Sequence, residues 1–232
     1  MSLRLTRGEY WLLTQAVRFK LPLSLIALPE GPPWDVNTID MALNCQGHGM
    51  GFDELAQTLH ELAERGWIAL QRCHEKTEAL PGDLATIRAE LGKPRTNFGG
   101  TYYGLTAAGG HAWEQFARPQ WHWFVEHEYD DVYEIDASGM LVHPEDPEQW
   151  RSMYVTTAHP NILDQYMCAV RTDYEIAAGS EQFDALDDWQ PVYWKSSTDA
   201  MRCRFRCREM PRGDDQYRPR SIEAFPAWCY WL

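Results

Sequence analysis

The residues best suited to chemistry lie in Met201–Arg208, where apolar and basic side chains alternate. A period of two is typical of a strand with one buried face, so we expect Met201, Cys203, Phe205 and Cys207 to face a core. The other face would carry a row of guanidinium groups about 7 Å apart, here called the arginine row: Arg202, Arg204, Arg206 and Arg208. Such groups bind carboxylates and phosphates. We expect carboxylates on neighbouring strands to pair with the arginine row, and an external anion is the alternative ligand.

Metal coordination is not predicted for this chain. The Cys and His residues considered as ligands form three pairs: Cys45 with His48, Cys73 with His74, and Cys203 with Cys207. None has the paired spacing of a closed zinc site. On a strand, Cys203 and Cys207 would lie about 13 Å apart, which is too far to share an ion. We therefore expect neither a metal nor a cofactor.

Catalytic motifs are absent from the sequence. No G-x-S-x-G elbow is present, and the glycine-rich GHGMG lacks both the Lys-Ser/Thr pair and the preceding strand of a phosphate-binding loop. The dense carboxylates between Glu126 and Asp136 are typical of a solvated face. The sequence therefore predicts a protein that is not an enzyme.

Charge is distributed unevenly along the 232 residues, whose formal net charge is −13. Residues 126–199 contain 3 basic and 17 acidic side chains, whereas residues 200–220 contain 7 basic and 3 acidic ones. An acidic balance argues against general affinity for nucleic acid, because contacts to phosphate supply most nonspecific binding. No apolar run reaches the roughly 18 residues of a membrane span, and no signal peptide is recognisable, so we expect a cytoplasmic protein without membrane contact.

The first half of the chain reads as helices followed by a strand pair. A capping box at Thr6-Arg7-Gly8-Glu9 predicts a helix to about Lys20, and a second helix fits 35–44. A third helix at 52–65 would bury Phe52, Leu55, Leu59 and Leu62, with Gly66 in the left-handed conformation at its end. Strands follow at 67–70 and 102–105, around an insertion at 74–100 with its own short helix from Gly82 to Leu91. Thr106 would cap a final helix that buries Ala112, Trp113 and Phe116 and ends before Pro119.

The segments ELAQTLHELAERGWI and YYGLTAAGGHAWE resemble the winged helix-turn-helix domains of bacterial regulators and their uncharacterised relatives. The resemblance covers about residues 6–119. It implies a winged-helix domain at 1–119 with the long wing insertion 74–100. The fold class expected for the whole chain is α+β, with a smaller acidic α+β domain containing an antiparallel sheet at 120–232.

The resemblance implies DNA binding, with the third helix in the major groove and basic wing residues on phosphate. The cations available for this role are Arg65, Lys93 and Arg95. However, the third helix carries four carboxylates and one arginine between Phe52 and Arg65, and phosphates would repel such a helix. A DNA-binding regulator, monomeric or homodimeric, with a C-terminal sensing or dimerisation domain is therefore the alternative function.

The second half is predicted to be a mixed domain. Alternation around Ser138-Gly139 predicts a hairpin of strands 132–135 and 140–143. Pro160 fits the first position of a helix at 161–171, and strands are expected at 174–177 and 191–195.

The function that we predict first is protein binding without catalysis. Carboxylates and an amide on the third helix and after Phe124 would contact a basic partner, and the candidate residues are Glu54, Gln57, Glu61, Glu64, Glu126, Glu128, Asp130 and Asp131. A surplus of Trp and Tyr, which interface cores favour, supports this prediction. A neutralising protein, such as the immunity protein of a nuclease toxin, is one concrete form of it.

Overall fold

The chain folds into helices and antiparallel sheets, which confirms the predicted α+β class. The computed structural model describes residues 4–27, 48–72, 78–93, 100–129, 134–135, 141–142 and 150–210. Two compact units are present: unit one is Met1–Arg118 with Val192–Lys195, and unit two is Pro119–Pro191 with Ser196–Leu232. The return of the chain to unit one at Val192–Lys195 was not predicted. None of the described helices has the length and apolar composition needed to cross a membrane.

Unit one contains a four-stranded antiparallel sheet and several helices. The helices described are α1 (Arg7–Gln15), α2 (Leu23–Ile26), α3 (Phe52–Glu64), α4 (Leu84–Leu91) and α5 (Ala107–Ala117). The strands are β1 (Leu21–Pro22), β2 (Ile68–Arg72), β3 (Glu78–Leu80) and β4 (Thr101–Leu105), and they lie in the order β1-β4-β2-β3. Apolar side chains from α1, α3, β2 and β4 form the buried core. The predicted second helix at 35–44 lies outside the described residues.

The predicted capping box opens α1. Glu9 N–H donates to Thr6 Oγ1 at 3.2 Å, and Thr6 N–H donates to Glu9 Oε2 at 2.7 Å. This exchange satisfies two of the backbone donors that a helix start leaves unpaired. The helix ends at Gln15, and the expected continuation to Lys20 is wrong.

Val192–Lys195, here called the return segment, explains this early end. The last carbonyls of a helix have no intrahelical donor. Tyr193 Oη donates to the carbonyl of Ala16 at 2.7 Å, and Trp194 Nε1 donates to that of Val17 at 2.8 Å. Tyr193 Oη also accepts the N–H of Leu105 at 2.6 Å, so one hydroxyl connects α1 to β4. Burial raises the pKa of Tyr193 to about 12, which keeps this hydroxyl protonated.

The turn from β4 into α5 explains why the sequence contains Thr-x-x-Gly. Thr106 Oγ1 accepts the N–H of Gly109 at 3.0 Å and donates to the carbonyl of Gly66 at 2.5 Å. A Cβ at Gly109 would lie 1.8 Å from the carbonyl oxygen of Trp67, and one at Gly110 would lie 2.0 Å from the Trp194 ring. Only glycine fits at either position. Gly66 has the predicted positive φ, 68°.

Two aromatic residues expected in the core are exposed instead. Phe52 is 45% exposed because it is the first residue of α3, one turn before the packed stripe begins at Leu55. Phe116 is 47% exposed near the end of α5, and its ring contacts that of Tyr10 at a tilted angle, with centroids 5.0 Å apart.

The insertion forms a strand and a helix. Asp83 caps α4 by accepting the N–H of Thr86 at 2.9 Å, and Ile87 and Leu91 are buried. This helix confirms the one predicted from Gly82 to Leu91. Strand β3 pairs with β2 at the sheet edge and was not predicted, since none of its three residues is buried.

Unit two is a sheet covered on one face by a helix. Strands β5 (Val125–Tyr129), β8 (Arg151–Thr157), β10 (Gln182–Leu186) and β13 (Ala200–Glu209) lie in the antiparallel order β10-β13-β8-β5, and β9 (Tyr174–Ile176) also pairs with β13. Helix α6 (Pro160–Asp173) begins with Pro160, which confirms the predicted helix. Its Leu163, Tyr166, Met167 and Val170 pack against Met153, Val155, Cys203, Phe205 and Cys207 of the sheet. The alternation predicted for β13 is confirmed.

Two short hairpins complete the described strands. Strands β6 (Glu134–Ile135) and β7 (Leu141–Val142) pair antiparallel, which confirms the hairpin expected around 138–139. Strands β11 (Trp189–Val192) and β12 (Lys195–Ser197) form the other. The single strand expected at 191–195 is therefore wrong, because residues 193 and 194 form a turn.

We expect the substitution Tyr193→Phe to lower the free energy of unfolding by about 1–3 kcal/mol, because it leaves the buried N–H of Leu105 and the carbonyl of Ala16 without this partner. Tyr102→Phe on β4 is the matched control, since no hydrogen bond of its hydroxyl is described. Urea unfolding of both variants measures the difference. Equal stability of the two variants would contradict the role given to the return segment.

Candidate functional site

One flank of α3 is covered by the insertion. His60 Nδ1 donates to the carbonyl of Gly82 at 2.8 Å, and Arg88 forms an ion pair with Asp53 at 2.9 Å. Gly82 approaches the helix so closely that an added Cβ would lie 2.6 Å from Cβ of Ala63. This flank is therefore closed to a partner.

The remaining exposed flank of α3 carries four of the predicted binding residues, here called the acidic row: Glu54, Gln57, Glu61 and Glu64. With 3.6 residues per turn, these positions share one side of the helix. Gln57 Nε2 donates to Glu61 Oε1 at 3.0 Å along the row. The Glu61 and Glu64 side chains are 46% and 67% exposed, so the row presents carboxylates to solvent.

Arg65 forms its shorter ion pair with a buried carboxylate of unit one and a longer one with Glu61 of the acidic row. Its Nη1 lies 2.6 Å from Oε1 of the buried Glu9 carboxylate, whereas Glu61 is 3.8 Å from Nη2. The guanidinium also lies over the Trp67 ring, 5.1 Å from its centroid. A buried carboxylate requires such a partner, so this arginine is committed to folding.

Lys93 is committed in a similar way. Its Nζ lies 2.6 Å from Oε1 of Glu90, a buried carboxylate that also accepts the Thr101 hydroxyl at 2.7 Å. Burial disfavours the charged carboxylate, but these two hydrogen bonds outweigh it and lower the pKa of Glu90. Arg95 lies outside the described residues. The two described cations proposed for DNA contact are therefore both ion-paired within unit one.

The arginine row lies on the face of the unit-two sheet opposite α6, and its two ends are held. Arg202 Nε donates to Thr156 Oγ1 at 3.1 Å, and its guanidinium lies 4.7 Å from the Tyr154 ring centroid. Arg208 pairs with Glu175 at 2.6 Å and lies 5.0 Å from the Trp150 ring centroid. The expected pairing with a neighbouring carboxylate thus occurs at Arg208, while Arg202 is held by a hydroxyl and a ring.

The two middle members of the row, Arg204 and Arg206, are exposed. Within the described part of unit two, no ion pair or hydrogen bond of either guanidinium is present. The rings that hold the row ends were missed by the sequence analysis. Their signal in the sequence is the period-two spacing of Trp150, just before β8, with Ser152 and Tyr154 within it.

Two of the carboxylates of unit two that were predicted to bind a partner accept hydrogen bonds within the unit. Trp189 Nε1 donates to Glu126 Oε2 at 3.0 Å, and the Tyr154 hydroxyl donates to Glu128. Burial raises the pKa of Glu126, and the neighbouring Glu128 raises it as well, against the effects of Trp189 and Arg202. Asp130 and Asp131 lie outside the described residues.

Cys203, Cys207 and His48 are buried. Burial raises the pKa of Cys203 to about 11, so it stays a thiol beside Phe205. His48 is buried, with Nε2 2.9 Å from the carbonyl of Ile26 and Nδ1 accepting the N–H of Met50 at 3.0 Å. In the described ranges, no three His, Cys, Asp or Glu side chains lie close enough to hold a metal ion. Cys45, Cys73 and His74 fall outside those ranges.

Comparison of the chain with protein-family models, with curated proteins and with solved structures gives no match.

We expect Glu126 to make folding stability fall as pH rises from about 4.5. The unfolded chain then loses the proton first, while the folded state keeps it, because the folded pKa is raised. Above the folded pKa, the loss levels off. The variant Glu126→Gln lacks this titration. The unfolding free energy of the parent minus that of this variant should therefore decrease as pH rises.

Urea unfolding at a series of pH values measures this difference, with Asp164→Asn on the exposed side of α6 as the matched control. A difference that stays constant, or that increases with pH, would show that Glu126 is not held with a raised pKa.

Proposed function

We propose that unit one is a winged helix-turn-helix scaffold. Its described elements run α1, β1, α2, α3, β2 and β4, and β4 lies between β1 and β2 in the sheet. Strands β2 and β4 pair antiparallel from Ile68–Leu105 to Arg72–Thr101, and the insertion with α4 emerges between them. These features support a wing formed by β2 and β4, with α3 in the position of a recognition helix.

On this scaffold we propose binding of a basic protein, without catalysis. The observation that carries the proposal is the acidic row on the open flank of α3, where three carboxylates face one arginine, Arg65, that is 3.8 Å from Glu61 and only 2.6 Å from the buried Glu9. The ion pair with the buried Glu9 fixes that arginine within unit one. The acidic row consists of three carboxylates and one amide. It is therefore complementary to a cationic surface and repels phosphate.

A neutralising protein of the immunity type is one form of this function. The net charge of −13 would accelerate the encounter with a basic target, because complementary charge acts mainly on the association rate.

The test is a triple variant, Glu54→Gln, Glu61→Gln and Glu64→Gln, compared with the parent in a pull-down from nuclease-treated source lysate. We expect the parent to retain a basic protein and the triple variant to bind it roughly 3- to 100-fold more weakly, since each exposed charge pair contributes about 0.2–1 kcal/mol. The matched control removes three exposed carboxylates of unit two, through Asp164→Asn, Asp187→Asn and Asp188→Asn.

With the retained protein purified, its association rate should fall steeply as salt concentration rises. Equal loss of binding in the control triple variant, or a rate that does not depend on salt, would overturn the assignment to the acidic row.

A DNA-binding regulator, monomeric or homodimeric, is the second candidate, and the element order of unit one favours it. Its cations would be Arg65, Lys93 and Arg95, of which the first two are ion-paired. If this function is correct, the double variant Lys93→Ala and Arg95→Ala should weaken duplex binding and reduce its salt dependence. Absence of duplex binding by the parent at low salt, measured by fluorescence anisotropy, would eliminate the regulator.

A further inference from the structure

The centre of the exposed face of the unit-two sheet contains four polar side chains whose hydrogen-bonding groups are unused within the described residues: Arg204, Arg206, Gln182 and Ser152. Arg204 lies opposite Gln182 on β10, and Arg206 lies opposite Ser152 on β8. Directly opposed residues in antiparallel strands have Cβ atoms about 4.5–5.5 Å apart. The four side chains therefore form one continuous group of donors, here called the central donor group.

The two arginines at the ends of the row, unlike the two in this group, are engaged by neighbouring residues. Arg202 is engaged by Thr156 and the Tyr154 ring, and Arg208 by Glu175 and the Trp150 ring. The middle of β13 therefore presents two guanidinium groups about 7 Å apart. Arginine side chains are long enough for two of them, on Cα atoms about 7 Å apart, to reach the same small anion. The group thus carries two positive charges without an anion of its own in the described structure.

Carboxylates surround the central donor group. By register, Asp184 lies opposite Arg202, Glu175 lies opposite Arg208, and Glu128 lies next to Tyr154. Glu126 occupies the row of Arg202 on β5. These four carboxylates form an acidic rim. They are among the 17 carboxylates of residues 126–199, which together repel a long polyanion such as nucleic acid. A ligand with a small dianion at its centre and cations on either side is complementary to this site, which has a positive centre and a negative rim.

We propose that the central donor group binds a phosphate monoester carried by a basic segment of a partner protein. A phosphorylated side chain carries about −1.5 to −2 charges and three acceptor oxygens, which corresponds to the two arginines. Guanidinium groups bind phosphate through two parallel hydrogen bonds each. The Ser152 hydroxyl and the Gln182 amide supply the remaining donors. In the rim, Asp184 has no hydrogen bond or ion pair within the described residues, and it receives a lysine or arginine side chain next to the phosphate.

A single carboxylate matches this site less well. It neutralises only one of the two arginines, so the second would remain without an anion inside the acidic rim. This site lies entirely in unit two and uses no residue of the acidic row. The inference therefore stands or falls independently of the function proposed for unit one.

The test uses a synthetic lysine-flanked peptide with one central phosphoserine and the same peptide without phosphate, titrated into the full-length protein by calorimetry. We expect the phosphorylated peptide to bind about 10- to 100-fold more tightly, which corresponds to about 1.4–2.7 kcal/mol of binding free energy in total. The double variant Arg204→Gln with Arg206→Gln should abolish this preference. The variant Arg204→Lys with Arg206→Lys should retain part of it, because charge remains while the paired hydrogen bonds are lost.

The matched control is Arg7→Gln with Arg18→Gln, which removes two exposed arginines of unit one and should keep the preference unchanged. Thermal unfolding of each variant verifies that the fold is intact. Three results would overturn the proposal: equal binding of the two peptides by the parent, equal binding of a peptide with two glutamates in place of phosphoserine, or tighter binding of an oligothymidylate. The second would indicate a carboxylate ligand, and the third a single-stranded nucleic acid.

Discussion

A carboxylate buried in a protein must be given a cation or donors, and this requirement at Glu9 determines the character of unit one. One of its oxygens caps α1 and the other accepts Arg65 from the end of α3, 56 positions away in sequence. The ion pair fixes the start of one helix against the end of another. It also gives the one arginine in the segment Phe52–Arg65 a buried carboxylate as its shorter ion-pair partner, while Glu61 is the longer one at 3.8 Å. The charge that α3 presents to solvent therefore depends on how the helices are joined, as well as on composition.

The second unit depends on the central position of β13. Paired on both sides, the strand buries Cys203, Phe205 and Cys207 beneath α6, and its alternation then forces every arginine to the opposite face. Neighbouring strands determine what each arginine meets. Tyr154 and Thr156 hold one end of the row and Glu175 holds the other, whereas the middle of the row meets only neutral polar residues of β8 and β10. Strand register thus converts a uniform sequence pattern into a row with different ends and centre.

The features predictable from sequence were local ones. The capping box at Thr6, the left-handed Gly66, the cap at Thr106 and the alternation in β13 each depend on residues within a few positions of one another. Strands β5, β8 and β10 were missed because they contain many polar residues and, among their described side chains, only those of β8 include buried ones, so an apolar alternation is hardly visible. The pairing of Glu9 with Arg65 and the insertion of Tyr193 and Trp194 into unit one join distant segments, and no local pattern encodes them. The exposure of the candidate residues on α3 was predictable, but the ion pair between Arg65 and Glu9 was not.

The discontinuity of unit one has a consequence for biosynthesis. Residues up to Arg118 are synthesised first, and the return segment is synthesised only after residues 119–191 have been added. At about 5–20 residues per second, that delay is on the order of ten seconds. During this time the carbonyls of Ala16 and Val17, the N–H of Leu105 and the surface of Gly110 lack the partners that they have in the finished protein. The nascent first unit is therefore without these partners for seconds, until the return segment has been synthesised.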